Sequence, residues 1–160
     1  LIARRVMTAV AVLATIISSS AILGCAAAPR LPQVDLDDGA WSIRTGQVLW
    51  KPKTDRPELA GELFLAKHKN GDVYISLTKS LIPIFTAQTS GRKWRIAFVE
   101  DCRAYAGRWW PPQQFIWFRL WGLMDGASVP ESWVVRKTNG QEWILLNHKT
   151  GEKIRVALDS

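Results

Sequence analysis

Two cysteines and two histidines are the chain's thiols and imidazoles: Cys25, Cys102, His68 and His148. A Cys–His pair can carry acyl transfer when the two side chains meet in space. His68 stands beside the Asn70-Gly71 turn signal and His148 beside Thr150-Gly151, so both read as solvated turn residues. Cys102 follows Glu100 and Asp101, two acids that disfavour its thiolate. Two separated histidines with no C-x-x-C or H-E-x-x-H spacing do not make a metal site. No glycine-rich loop follows a strand and opens a helix, so a nucleotide site is unsupported. The chain is therefore expected to be no enzyme, with no metal and no cofactor. What remains is aromatic chemistry. Four of nine tryptophans (Trp109, Trp110, Trp117 and Trp121) fall in residues 108–122, "RWWPPQQFIWFRLWG". Such a run can touch a membrane interface, line a ligand site or fill a core.

Cys25 has a different context. Arg4 and Arg5 precede an apolar run, "VMTAVAVLATII", and small residues then lead to "ILGC" at Ile22–Cys25. The order is that of a secretory signal, and the serines at 18–20 end the run before the roughly 20 residues of a membrane span. "ILGC" resembles a bacterial lipobox. That resemblance implies cleavage before Cys25, acylation of its thiol, and attachment to a leaflet through lipid. The alternative is an ordinary signal with an incidental cysteine. Ala26 resembles an outer-membrane sorting signal, which implies the periplasmic face of the outer membrane. Residues 1–24 are thus expected to be a lipoprotein signal, 25–40 a lipidated tether rich in Pro and Asp, and 41–160 a single β-rich domain.

Loss of Arg4 and Arg5 with the signal takes the net charge from +7 to +5, scattered among acids. There is no basic run or recognition helix, so nucleic acid is not an expected partner. With Cys25 acylated, Cys102 has no disulfide partner in the monomer, and stability must come from the core.

The elements that must position these residues are mostly strands. "DVYISLTK" alternates Val73, Ile75 and Leu77 with Tyr74, Ser76 and Thr78, after the Asn70-Gly71 hairpin signal. Trp94, Ile96 and Phe98 share one face after a turn at Ser90-Gly91. Gly46 is a turn candidate inside "WSIRTGQVLW". Turn signals at Asn139-Gly140 and Thr150-Gly151 predict a three-stranded C-terminal meander. Pro111-Pro112 breaks the rhythm and suits the first turn of a helix, so "PQQFIWFRLWGLM" is expected to be a short helix. Ile116, Leu120 and Leu123 form one apolar stripe, and Trp117, Trp121 and Met124 another. The expected fold class is α+β: a mainly antiparallel curved β-sheet, an unclosed half-barrel, covered by a short apolar helix.

That order, a lipobox followed by hairpins around an apolar helix, is similar to the LolA/LolB-like family of lipoprotein carriers. The closest local likeness is "LAGELFLAKHKNGDVYISLTKSLIPIFTAQ", residues 59–88. The resemblance covers about half the mature chain and rests on pattern; Pro83 and the many tryptophans depart from it. It implies an unclosed barrel whose apolar cavity takes an acyl chain or a lipoprotein. It also implies that the "SLIPI" loop presents Leu81 and Ile82 to the membrane.

The candidate ligand-binding residues are Trp94, Phe98, Phe115, Phe118 and Trp121. The candidate membrane contacts are Leu81, Ile82, Trp109 and Trp110. Each has a plainer alternative. One ring of the Trp109-Trp110 pair is expected to cap the core, and Leu81, Ile82 and Ile84 can belong to an ordinary crossover. Trp94, Trp133 and Trp143 could instead stack on sugar rings. The leading function is non-enzymatic binding of an acyl chain or lipoprotein in envelope trafficking. The runner-up is an accessory envelope lipoprotein contacting peptidoglycan, lipopolysaccharide or a partner protein.

Overall fold

The computed structural model describes residues 30–138 and 140–159. Cys25, the signal segment 1–24 and Asn139 lie outside the described residues. Nine strands follow in chain order: β1 (Trp41–Lys51), β2 (Leu59–His68), β3 (Val73–Lys79), β4 (Ile82–Ser90), β5 (Lys93–Phe98), β6 (Arg103–Arg108), β7 (Trp133–Lys137), β8 (Glu142–Asn147) and β9 (Lys153–Leu158). Between β6 and β7 a 3-10 turn, Ile116–Arg119, runs into a short α-helix, α1 (Leu120–Met124).

The strands make one sheet in the order β6-β5-β4-β3-β2-β1-β9-β8-β7, antiparallel throughout. The expected C-terminal meander is present as β7-β8-β9. β6 and β7 are the edges, and no pairing joins them among the described residues, so the sheet is unclosed. The helical segment carries the chain from one edge to the other.

Alternation sets the faces. Val73, Ile75 and Leu77 of β3 are buried while Tyr74, Ser76 and Thr78 are half-buried, as the period of two requires. Trp94 and Ile96 of β5, Leu145 of β8, and Ile154 and Val156 of β9 bury the same inner face. Ile116, Trp117, Leu120, Trp121 and Leu123 complete this core. Burying each such side chain contributes about 1.5–3 kcal/mol. Arg44 of β1 fastens the end of α1: its guanidinium lies 4.1 Å from the Trp121 ring centroid and 2.9 Å from Asp125 Oδ1.

Two expectations need correction. Gly46 is not a turn, since β1 runs straight through it. β9 passes so close that a Cβ at 46 would meet the Ala157 carbonyl oxygen and come within 2.8 Å of Leu158 Cα, so the glycine serves close approach of backbones. The helix does not begin at Pro112. The Phe115 N–H closes a turn onto the Pro112 carbonyl, and Phe115 then departs from helical geometry at φ −91°, ψ 71°. Its ring lies 5.6 Å from Trp94 and 5.4 Å from Tyr105, and regular helix starts only at Ile116.

The register also defines two ends of the sheet. The β1–β2, β3–β4, β5–β6 and β8–β9 connections share one end. The β2–β3, β4–β5 and β7–β8 connections share the other, together with Trp109-Trp110 where β6 finishes.

Residues 30–40 are laid on the domain rather than clear of it. Gln88 Nε2 donates to the Pro32 carbonyl at 2.7 Å, and the Asp38 carboxylate meets His68 Nε2 at 3.4 Å. The Ala40 N–H, and then His68, hold the Asp38 carboxyl below the usual carboxylate range.

Candidate functional site

The middle of the inner face is filled. Trp117 meets Phe85 at 4.6 Å and Trp50 edge-on at 5.5 Å, and Trp50 meets Phe85 at 5.6 Å. These are ordinary packing separations for aromatic rings. At the β1–β2 end, where the helical segment stops covering the sheet, a cleft of about 420 Å³ opens. That lies within the roughly 300–1,000 Å³ typical of small-molecule sites. Its apolar wall is Trp50, Leu59, Ile84, Phe98, Phe115 and Trp117. Its rim carries both signs of charge: Lys53, Arg56 and Arg103 with Glu100 and Asp101.

One further carboxylate is set into the wall. Trp50 Nε1 donates to Glu152 Oε1 at 2.9 Å. Burial pushes the Glu152 carboxyl up to about 7, against the opposing pull of that hydrogen bond. The β8–β9 turn delivers it. Buried Asn147 accepts the N–H groups of Lys149 and Thr150 on Oδ1, and its own N–H donates to the Glu152 carbonyl. Gly151 takes φ +73° and lies so close to Thr54 that a Cβ there would strike the threonine hydroxyl. Near neutral pH the cleft thus holds a carboxyl that gains or loses a proton at low cost, within a mostly aromatic wall.

The sequence-expected ligand residues are only partly brought together. Phe98 and Phe115 line this cleft. Trp94 is buried against Phe115 and Phe118, and Trp121 lies under Arg44 with Phe118 nearer the opposite end. The sugar-stacking platform is corrected: Trp94, Trp133 and Trp143 are all buried, so none offers an open ring face.

The membrane-contact candidates are all exposed: Leu81 by 90%, Ile82 by 67%, Trp109 by 65% and Trp110 by 88%. The expectation that one of the two tryptophans caps the core is therefore overturned. Trp109 has φ +72°, and its N–H is tied to the Arg92 carbonyl, which turns the pair away from the sheet. Leu81 is the tip of a two-residue hairpin in which Ser80 and Leu81 both have positive φ, the geometry of a type I′ turn. Ile82 and Pro83 already belong to β4, so the expected loop is only a turn, while Ile84 is buried beside the bulge at Leu77/Thr78. The four candidates do not form one surface. Leu81 and Ile82 stand at the cleft end, and Trp109 and Trp110 at the other.

Of the residues tested for nucleophilic chemistry, Cys102 and His148 are exposed on turns at the cleft end. His68 closes β2 at the far end, 4.9 Å from the Trp41 ring, and is less solvated than its turn position implied. Among the described residues no cluster of three His, Cys, Asp or Glu side chains could hold a metal. Sequence reasoning missed Trp50 and Glu152. Each looks ordinary in its own strand or turn, and only the β1–β9 pairing of Trp50 with Ile154 brings them together across 102 positions.

No family model matches the chain, and no curated protein matches it either.

Proposed function

We propose that the chain is a non-enzymatic envelope lipoprotein, acylated at Cys25 and held at the periplasmic face of the outer membrane, whose domain binds an acyl chain of a lipid or lipoprotein. In this proposal the sheet is an unclosed half-barrel, its apolar helix plugs the centre, and the cleft at the β1–β2 end is left to take the ligand. The observation that carries the proposal is the cleft: about 420 Å³, walled by Trp50, Leu59, Ile84, Phe98, Phe115 and Trp117, and open at the end where Leu81 projects. An apolar wall with a charged rim suits an amphiphile whose tail is buried and whose head stays wet. Both signs at the rim leave the headgroup open.

One observation favours the second reading, an accessory envelope lipoprotein without ligand. Ile116, Trp117, Leu120 and Leu123 fill the space that a deep carrier cavity would need. Native mass spectrometry of the chain lacking residues 1–29 separates the two. Co-purified lipid, displaced by a competing monoacyl lipid, is expected for the binder. Repeated isolation of bare protein that takes up no added lipid would favour the accessory role.

A further inference from the structure

The two exposed apolar tips lie at opposite ends, so one flat bilayer cannot meet both while the sheet stands upright on it. We propose that the Trp109-Trp110 end docks on an anionic bilayer surface and that the cleft end faces the aqueous compartment. The charge around the tips decides between them. Arg92 stacks on the Trp109 ring at 4.8 Å, and Lys93 and Arg108 are paired across β5 and β6 beside it. A groove of about 770 Å³ along β6 is lined by Arg30, Lys93 and Arg108 together with apolar residues, and by no acid. The acids at the same end are taken up within the domain: Asp72 by the Gly91 N–H and Asn70, Asp38 by His68 and the Ala40 N–H, and Asp125 by Arg44. Around the cleft, by contrast, Glu100, Asp101 and Glu152 stand among the cations.

Indole rings settle at the headgroup level, and arginines beside them gain from anionic lipid. Trp110 is free for this role, and Trp109 is held in place by its N–H to the Arg92 carbonyl. Arg30 and Pro32 line the same groove along β6. The surface is independent of whether the cleft binds lipid. It draws on acylation of Cys25 only for how the domain is brought to the bilayer.

All nine tryptophans lie at or beyond residue 41, so tryptophan fluorescence of the full chain reports on the domain alone. The full chain is reconstituted into phosphatidylethanolamine vesicles with 30% phosphatidylglycerol and brominated acyl chains. Bromine quenching is expected, with the share from the tip lost in W109F/W110F and none lost in L81S/I82S; an acyl chain in the cleft quenches Trp50 and Trp117 alike in all three, so the tip is read from the difference between the parent chain and W109F/W110F. R92Q/R108Q, which keeps both indoles, is expected to lower the share from the tip at least twofold. Quenching unchanged in W109F/W110F, lost in L81S/I82S, or absent from the parent chain would overturn the proposal. So would equal quenching on vesicles without phosphatidylglycerol.

Discussion

Trp117 and Trp121 are buried; Trp109 and Trp110, a few residues earlier, stand in solvent. The side chains are identical, so hydrophobicity alone does not decide their fate. Backbone does. Pro111-Pro112 holds the two pairs apart: the first leaves β6 on a positive-φ residue, and the second turns inward on the 3-10 turn and α1. The first pair lies among Arg92, Lys93 and Arg108, and the second among Phe85, Trp50 and Arg44. One fifteen-residue run thus supplies both a core and a surface.

The contrast is sharpest in stability. Trp117→Ala removes the ring that joins Phe85 to Trp50 and is expected to cost about 3–5 kcal/mol in chemical denaturation. A cost below about 1 kcal/mol would mean that the centre is not packed as described.

The buried half of this division was legible in the sequence, and the exposure of both Trp109 and Trp110 was not, because it follows from the positive φ at Trp109 and its tie to the Arg92 carbonyl. Alternation in β3 and β5, hairpin signals at Gly71 and Gly91, and the apolar stripes of residues 116–124 all describe local periodicity, which the chain carries in every short window. The helix start at Ile116 was not legible, because Phe115 gives up helical geometry for contacts with Trp94 and Tyr105 on strands distant in sequence. Gly46 read as a turn because its reason lies in β9, more than a hundred residues on. The cleft was half legible. Phe98 and Phe115 were found as apolar residues of strand and helix, whereas Glu152 acquires its character only from burial beside Trp50.

Glu152 gives the next largest effects. Its carboxyl titrates near 7 in the folded protein against an ordinary 4.5, so the folded state binds this proton more tightly than the unfolded chain. The stabilisation is complete below about pH 4.5 and is lost as pH rises through about 7, up to about 3 kcal/mol in all. Glu152→Gln keeps an acceptor for Trp50 Nε1 and carries no charge. Denaturant midpoints for this variant are expected to stay flat over that range where the parent chain declines. Parallel pH profiles for the two proteins would remove Glu152 from the account.

The same proton bears on the ligand. An acyl chain laid against Glu152 favours the neutral carboxyl, so a zwitterionic monoacyl lipid is expected to bind roughly tenfold more tightly at pH 6 than at pH 8. In Glu152→Gln that ratio should fall to about one, as read by calorimetric titration. The smallest effect lies at the far end: Trp110→Ala is expected to change stability by less than about 0.5 kcal/mol, in contrast to Trp117→Ala.

The central claim is that the open end, and not the filled centre or the tryptophan tip, receives an acyl chain. A monoacyl phospholipid with a diazirine in its acyl chain, photolysed on the domain and mapped by peptide mass spectrometry, tests it most directly. Adducts are expected on the strands and loops around the cleft, at Trp50–Leu59, Ile84, Phe98–Tyr105 and Phe115. Adducts confined to Trp109 and Trp110, or spread over the surface without competition from unlabelled lipid, would contradict it.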